Sequence, residues 1–195
     1  MQSEPGINDV LDVALLVGSA LDAVGAKYMV VGSVASSLIG NPRTTNDIDI
    51  VTALGVSQVH AFCEALGADF DVDEKSLSDA MASGGSWNIF FVPWMLKIDI
   101  FAADNSEFQR SKFSRSIRFQ LDKKSLAVLG REDLVLSKLV WLRDGNGVSD
   151  QQWRDIMGIL RINRAGLDLA YLNDWSKRLG LETLLARARA ESAGA

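Results

Sequence analysis

Three aspartates stand in settings that few kinds of chemistry require. The segment NDIDIVT, residues 46–52, alternates polar and apolar residues. On a strand, Asp47 and Asp49 therefore share one face, with side-chain roots about 7 Å apart, while Ile48 and Ile50 share the other. Asp99 repeats the setting in KIDIF, residues 97–101. Three carboxylates gathered in water repel and raise one another's pKa, and a divalent cation between them removes that penalty. Mg2+ is the natural occupant, because it takes a few carboxylates and completes its octahedron with water and substrate phosphates. Two such ions, about 4 Å apart, can activate an attacking oxygen and stabilise the leaving oxygen of a phosphoryl or nucleotidyl transfer.

A second element points the same way. Gly32-Ser33 lies where the apolar run KYMVVG, residues 27–32, gives way to the short helical segment SVASSLIG, residues 33–40. A helix N-terminus offers free backbone N–H groups and a positive dipole end to a phosphate. Glycine allows close backbone approach there, and the serine hydroxyl adds a donor. Arg43, four residues before Asp47, carries a planar fork suited to the same phosphates. Other chemistries lack residues: one cysteine, Cys63, excludes an intrachain disulfide and a cysteine-built zinc site, and one histidine, His60, leaves little for a His-based metal site or a Ser-His-Asp triad.

The elements that must position these groups are legible in outline. The spacing of Val10, Leu11, Ala14, Leu15, Gly18 and Leu21 predicts a helix over 7–25, capped by Asn8 or Asp9 and ended by Gly25. Strands are expected over 27–32 and 46–52, with a helix from about Ser57 to Leu66. Residues 70–81 read as a strand fragment and a short helix, and Gly84-Gly85 as a turn. Strands over 86–92 and 96–102 flank Pro93, and SIRFQL and SLAVL add two short strands within 115–129. Beyond Gly130, four segments have helical periodicity. The expected fold class is α+β: a mixed β-sheet flanked by helices over 1–130, with a C-terminal helical subdomain over 131–195 packed on it.

The 195-residue chain is 48% hydrophobic and 23% charged, which excludes disorder as its main state. Residues 1–104 carry 4 Lys+Arg against 14 Asp+Glu, and residues 105–195 carry 16 against 11. The basic half includes Arg110, Lys112, Arg115 and Arg118, a bias toward an anionic acceptor, but no dense basic tail. The start MQSEPGINDV has neither the basic flank nor the apolar run of a signal peptide, and apolar stretches fall short of a membrane span. A cytoplasmic protein with no membrane partner is expected.

VVGSVASSLIGNPRTTNDIDIV followed by KIDIF resembles the signature of the nucleotidyltransferase fold superfamily, the one shared with DNA polymerase beta: hG[GS], then [DE]h[DE]h, then a third acid in a later strand. More closely, the chain resembles bacterial nucleotidyltransferase-like proteins grouped with the AbiEii toxin type. Their G-x-x-R-x-T-x-D-[IL]-D and E-D-L-h-x-x-K-L elements are matched, allowing for spacing, by Gly40 to Asp49 and Glu132 to Leu139. The resemblance implies a metal-dependent nucleotidyltransferase that moves NMP from an NTP to a hydroxyl and releases pyrophosphate. It implies metal ligation by Asp47, Asp49 and Asp99, with two Mg2+ ions for which Mn2+ can substitute, and Asp99 as base on the acceptor. Gly32 and Ser33 would hold the triphosphate, with Arg43 and Lys138 as further nucleotide contacts. Acceptors across the superfamily include RNA, proteins and small molecules. The AbiEii-type likeness alone adds a toxin role and an antitoxin partner. The alternatives are a non-catalytic nucleotide-sensing or partner-binding module on the same fold, and hydrolysis with water as acceptor.

Several other residues have plainer readings. His60 is expected as a surface or half-buried helix residue, and Cys63 as a small buried hydrophobe. Trp141, Trp153 and Trp175 fall in amphipathic helices and read as packing residues, while Trp87 and Trp94 flank the hairpin before Asp99. Asp150 and Asp155 read as a helix cap and an ion-pair partner. Lys97 alternates onto the face of Asp99, where it can pair with the acid when no metal is bound, or touch a phosphate.

Overall fold

The structure is a computed structural model that describes residues 9–121, 124–145 and 149–193. In chain order its elements are α1 (Val10–Ala23), β1 (Tyr28–Val30), α2 (Gly32–Ile39), β2 (Asp47–Thr52), α3 (Val59–Leu66), β3 (Phe70–Asp71), α4 (Glu74–Ser83), β4 (Ser86–Phe91) and β5 (Leu96–Ala102). They continue as α5 (Glu107–Ser114), β6 (Ile117–Leu121), β7 (Lys124–Val128), α6 (Arg131–Arg143), α7 (Asp150–Ile162), α8 (Leu169–Arg178) and α9 (Glu182–Ala193). The chain is α+β, with one mixed sheet of seven strands in the order β3-β4-β5-β2-β1-β7-β6, flanked by helices. Among the described residues no helix is long and apolar enough to cross a membrane.

Two compact units emerge. The first runs to Val34 and resumes over Thr44–Val128; the second holds Ala35–Arg43 and the chain from Leu129 onward. The segment 35–43, which the sequence reading left with the sheet, thus clusters with the C-terminal helices, and α2 begins in one unit and ends in the other.

In the first unit, β2 pairs parallel with β5 and antiparallel with β1, and β4 pairs antiparallel with β5. Ile48, Ile50, Ile89, Ile98 and Ile100 have no exposed surface. Each such side chain contributes about 1.5–3 kcal/mol over its exposed state. A one-residue slip of β2 would bury Asp47 and Asp49 and expose Ile48 and Ile50, so the hydrophobic pattern pins the register. α1 packs on β7, β1 and β2 and against α3, which packs on α4. Asp9 caps α1 by accepting from the Asp12 N–H at 3.0 Å; the alternative cap, Asn8, and residue 7 lie outside the described residues.

Helix α5 was not expected. Its sequence, EFQRSKFS, has no apolar stripe, and its start is set by Ser106, whose hydroxyl accepts from the Gln109 N–H at 3.0 Å. The expected strand fragment and helix in 70–81 are β3 and α4, the latter capped by Asp73 and closed by Gly84. His60 is exposed as expected, with Nδ1 3.2 Å from Glu74; Cys63 is half-buried rather than fully buried. Ser149, not Asp150, caps α7.

The second unit packs α6 with α7 and α8, and α9 with α7 and α8. Leu134, Leu136, Leu139, Ile156, Ile159, Leu172, Leu185 and Ala188 are buried within it. Of the helical tryptophans, Trp175 is buried, whereas Trp141 is exposed. Trp153 donates to Glu191 at 2.7 Å, and Arg187 lies 4.5 Å from its ring centroid. Segment 35–43 is stitched in by Asn163, whose amide donates to the Ile39 carbonyl at 2.9 Å.

Candidate active site

The first unit brings five of the seven expected site residues onto neighbouring elements. Parallel pairing of β2 with β5 sets Asp49 directly beside Asp99, and Asp47 beside Lys97. Paired residues point to the same side of a sheet, so all four share one face, opposite the buried isoleucines. The three acids are half-buried. On the far side of β5, antiparallel β4 sets Asn88 across from Asp99 and Phe90 across from Lys97.

The Gly32–Ser33 junction abuts one of these acids, Asp49. The Val31 N–H donates to the Asp49 carbonyl at 2.8 Å, which fixes the end of β1 beside the middle of β2. Gly32 then turns the chain into α2 with φ +60, a conformation that other residues rarely adopt. A Cβ on Gly32 would lie 2.0 Å from Asp49 Oδ2. Glycine is therefore demanded twice, by backbone conformation and by the carboxylate that lies against it.

Two contacts orient the acids. Thr45 donates its hydroxyl to Asp47 Oδ1 at 2.7 Å. Lys97 Nζ lies 2.7 Å from Asp99 Oδ2, with the lysine side chain 42% exposed and the aspartate 13%. The hydrogen bond to Asp99 raises the Lys97 pKa, and the negative field of Asp99, Asp47 and Asp49 adds to the effect. The ammonium is a positive charge set among these carboxylates.

The donor chemistry fits a magnesium-like ion: three hard carboxylates on adjacent strands, on one accessible face, against a cradle that a Cβ would fill. As they stand, no three acidic, histidine or cysteine groups among the described residues are gathered closely enough to grip an ion. Asp99 is turned to Lys97 instead.

The remaining two expected residues, Arg43 and Lys138, belong to the second unit, and both meet Asp155 there. Lys138 donates to Asp155 Oδ2 at 2.9 Å and to Gln152 Oε1 at 2.6 Å. Lys138 and Asp155 side chains are only 6% and 5% exposed. Arg43 Nε lies 3.6 Å from Asp155 Oδ1, which also accepts from Gln151 at 2.9 Å. Close approach of this segment is allowed by Gly158, where a Cβ would meet Asn41 Nδ2 at 2.9 Å. The acids of the E-D-L element are likewise engaged inside the unit: Glu132 accepts from the Asp168 N–H at 2.9 Å and Asp133 from the Tyr171 hydroxyl at 2.6 Å.

Of the basic cluster, Arg118 forks onto both oxygens of Asp22 at 2.8 Å, and Lys112 lies 4.9 Å from the Phe108 ring centroid. Sequence reasoning missed Thr45 and Asn88. The hydroxyl of Thr45 two residues before a candidate ligand was a signal available in RTTNDID. Asn88 had none, because its place beside Asp99 follows from strand register alone.

No family model matches the chain, and no curated protein matches it. Among solved structures, it is similar to an antigenic nucleotidyltransferase-like protein from Paracoccidioides brasiliensis, at 16% identity and TM-score 0.46, over 91% of this chain and 90% of that one. It is also similar to a tRNA-processing enzyme, at 13% identity and TM-score 0.41, over 83% of this chain and 44% of that one. A third similar structure is a CCA-adding enzyme, at 17% identity and TM-score 0.41, over 94% of this chain and 46% of that one. The chain thus spans less than half the length of the latter two.

Proposed function

We propose that the protein is a metal-dependent nucleotidyltransferase that transfers NMP from an NTP to an acceptor hydroxyl. The observation that carries this reading is the in-register pairing of Asp49 with Asp99, with Asp47 on the same face and Gly32 against Asp49. A fold has no packing use for three half-exposed carboxylates on neighbouring positions; phosphate chemistry does.

In this reading Asp47 and Asp49 hold the metal, with Asp99 joining them as third ligand. Divalent ions bound there would neutralise the triphosphate and acidify the attacking hydroxyl. The N-terminal turn of α2 presents backbone N–H groups and the Ser33 hydroxyl to the triphosphate, and Gly32 lets it approach closely. Asp99 accepts the proton of the acceptor hydroxyl as its oxygen attacks the α-phosphorus. The bond from that phosphorus to the bridging oxygen breaks, and pyrophosphate leaves. Positioning and charge neutralisation supply the acceleration. Arg43 and Lys138 serve the Asp155 ion cluster of the second unit. The acceptor can be RNA, protein or a small molecule, and a toxin acting opposite an antitoxin is one version of the reading.

The test is incubation with each α-labelled NTP, Mg2+ and cellular RNA or protein. Label transfer with equimolar pyrophosphate, lost in Asp49→Asn, supports the proposal. Labelled NMP without acceptor labelling assigns the site to hydrolysis instead. Unchanged transfer in Asp49→Asn overturns it.

A further inference from the structure

The lysine among the acids has a role of its own. Three carboxylates share this face, and Lys97 is placed to counter them: it stands beside Asp47 in the β2–β5 register and its Nζ lies 2.7 Å from Asp99 Oδ2. The pairing turns Asp99 to the lysine, and no ion-gripping group of three is assembled among the described residues. At 42% exposure the Lys97 side chain has open solvent to swing into, whereas Asp99, at 13%, is anchored on its strand. The lysine is the movable partner.

We propose that Lys97 is a built-in counter-cation that occupies the site in the metal-free state and must be displaced from Asp99 before a divalent ion binds. The inference rests on the reading of Asp47, Asp49 and Asp99 as metal ligands, and it adds a regulation of that site. An ammonium carries one charge and makes one directed contact with Asp99; a divalent ion carries two and engages several carboxylates together. The lysine therefore relieves carboxylate repulsion without closing the site. It also sets a threshold for metal binding, since an arriving ion must break an existing charge-assisted bond. Lys97 is a positioning residue: it acts through Asp99 rather than on the reacting atoms.

The experiment is titration of the nucleotide-free protein with Mn2+, read as loss of the free-ion electron paramagnetic resonance signal. It compares wild type with Lys97→Met, Lys97→Arg and Asp49→Asn, each checked for folding by circular dichroism. Lys97→Met keeps the stem and removes the charge, and is expected to bind Mn2+ about tenfold more tightly than wild type. Lys97→Arg retains the counter-charge and is expected to stay close to wild type. If Lys97→Met fails to fold, Lys97→Gln carries the same prediction. Binding no tighter in the folded neutral variant than in wild type overturns the counter-cation role and leaves the metal site standing. No saturable Mn2+ binding in any variant overturns both that role and the metal reading beneath it. Binding unaltered by Asp49→Asn places the ion elsewhere and overturns both as well.

Discussion

Two lysine–aspartate pairs in this molecule have nearly the same length and opposite meanings. Lys138 and Asp155 lie 2.9 Å apart, both almost fully buried, with Gln151, Gln152 and Arg43 beside them. Lys97 and Asp99 lie 2.7 Å apart on an accessible sheet face, beside two further carboxylates. In the second unit Lys138 and Arg43 both meet the carboxylate of Asp155, which is almost fully buried. In the first unit Lys97 pairs with one of three carboxylates that share a half-exposed face. On the proposed function these carboxylates hold a metal ion, so their charge serves binding rather than packing. On that proposal the contrast separates charge that holds a structure together from charge that binds a ligand.

The comparison can be broken by mutation. The largest effect is expected for Asp49→Asn, which keeps shape and removes charge. Nucleotidyl transfer should fall about 10³-fold or more, since several kcal/mol of charge stabilisation is lost, in a rate assay normalised to folded protein. Asp155→Ala should act on stability instead. Leaving Lys138 buried without its carboxylate is expected to cost about 3–5 kcal/mol in denaturant unfolding.

Asp47→Asn, measured without metal, should leave stability unchanged or raise it by up to about 1 kcal/mol, because it relieves repulsion at the proposed site. A loss comparable to that of Asp155→Ala would erase the distinction between the two regions. The smallest effect concerns an exposed pair outside both. His60 is held above its ordinary pKa of 6.5 by its hydrogen bond to Glu74, with the charges of Glu74 and Glu64 adding to it. Its contribution is present below 6.5 and fades as pH rises through the raised value. Proton NMR titration of this sole histidine should show a midpoint above 6.5, returning toward it in Glu74→Gln.

What could be read in advance follows from which interactions are local. The alternation of NDIDIV states which face of β2 is buried, and the observed burial of Ile48 and Ile50 beside half-buried Asp47 and Asp49 follows it. The glycine between β1 and α2 is likewise local, although its contact with Asp49 Oδ2 is tertiary. The pairing of Asp49 with Asp99 links positions far apart in sequence and needed a family resemblance to be expected at all. Helix α5 escaped because its eight residues carry no hydrophobic periodicity, only the Ser106 cap. The meeting of Arg43 and Lys138 at Asp155 was hidden for another reason. A lysine on an amphipathic helix reads the same whether it faces solvent, a phosphate or a buried acid, and only packing of α6 on α7 decides. Segment 35–43 shows the same limit, since its attachment to the helical unit runs through Asn163 and Gly158.

The central claim is that the carboxylates on the β2–β5 face bind nucleotide through metal. The most direct measurement is thermal unfolding of wild type and of Asp47→Asn/Asp49→Asn with each of the four NTPs, with and without Mg2+ or Mn2+. At about a hundred times its dissociation constant, a ligand of the native state adds about 2.7 kcal/mol of stability. The account predicts a metal-dependent upward shift with at least one nucleotide, absent in the double variant. No shift with any nucleotide, or a shift that survives loss of both carboxylates, would contradict it.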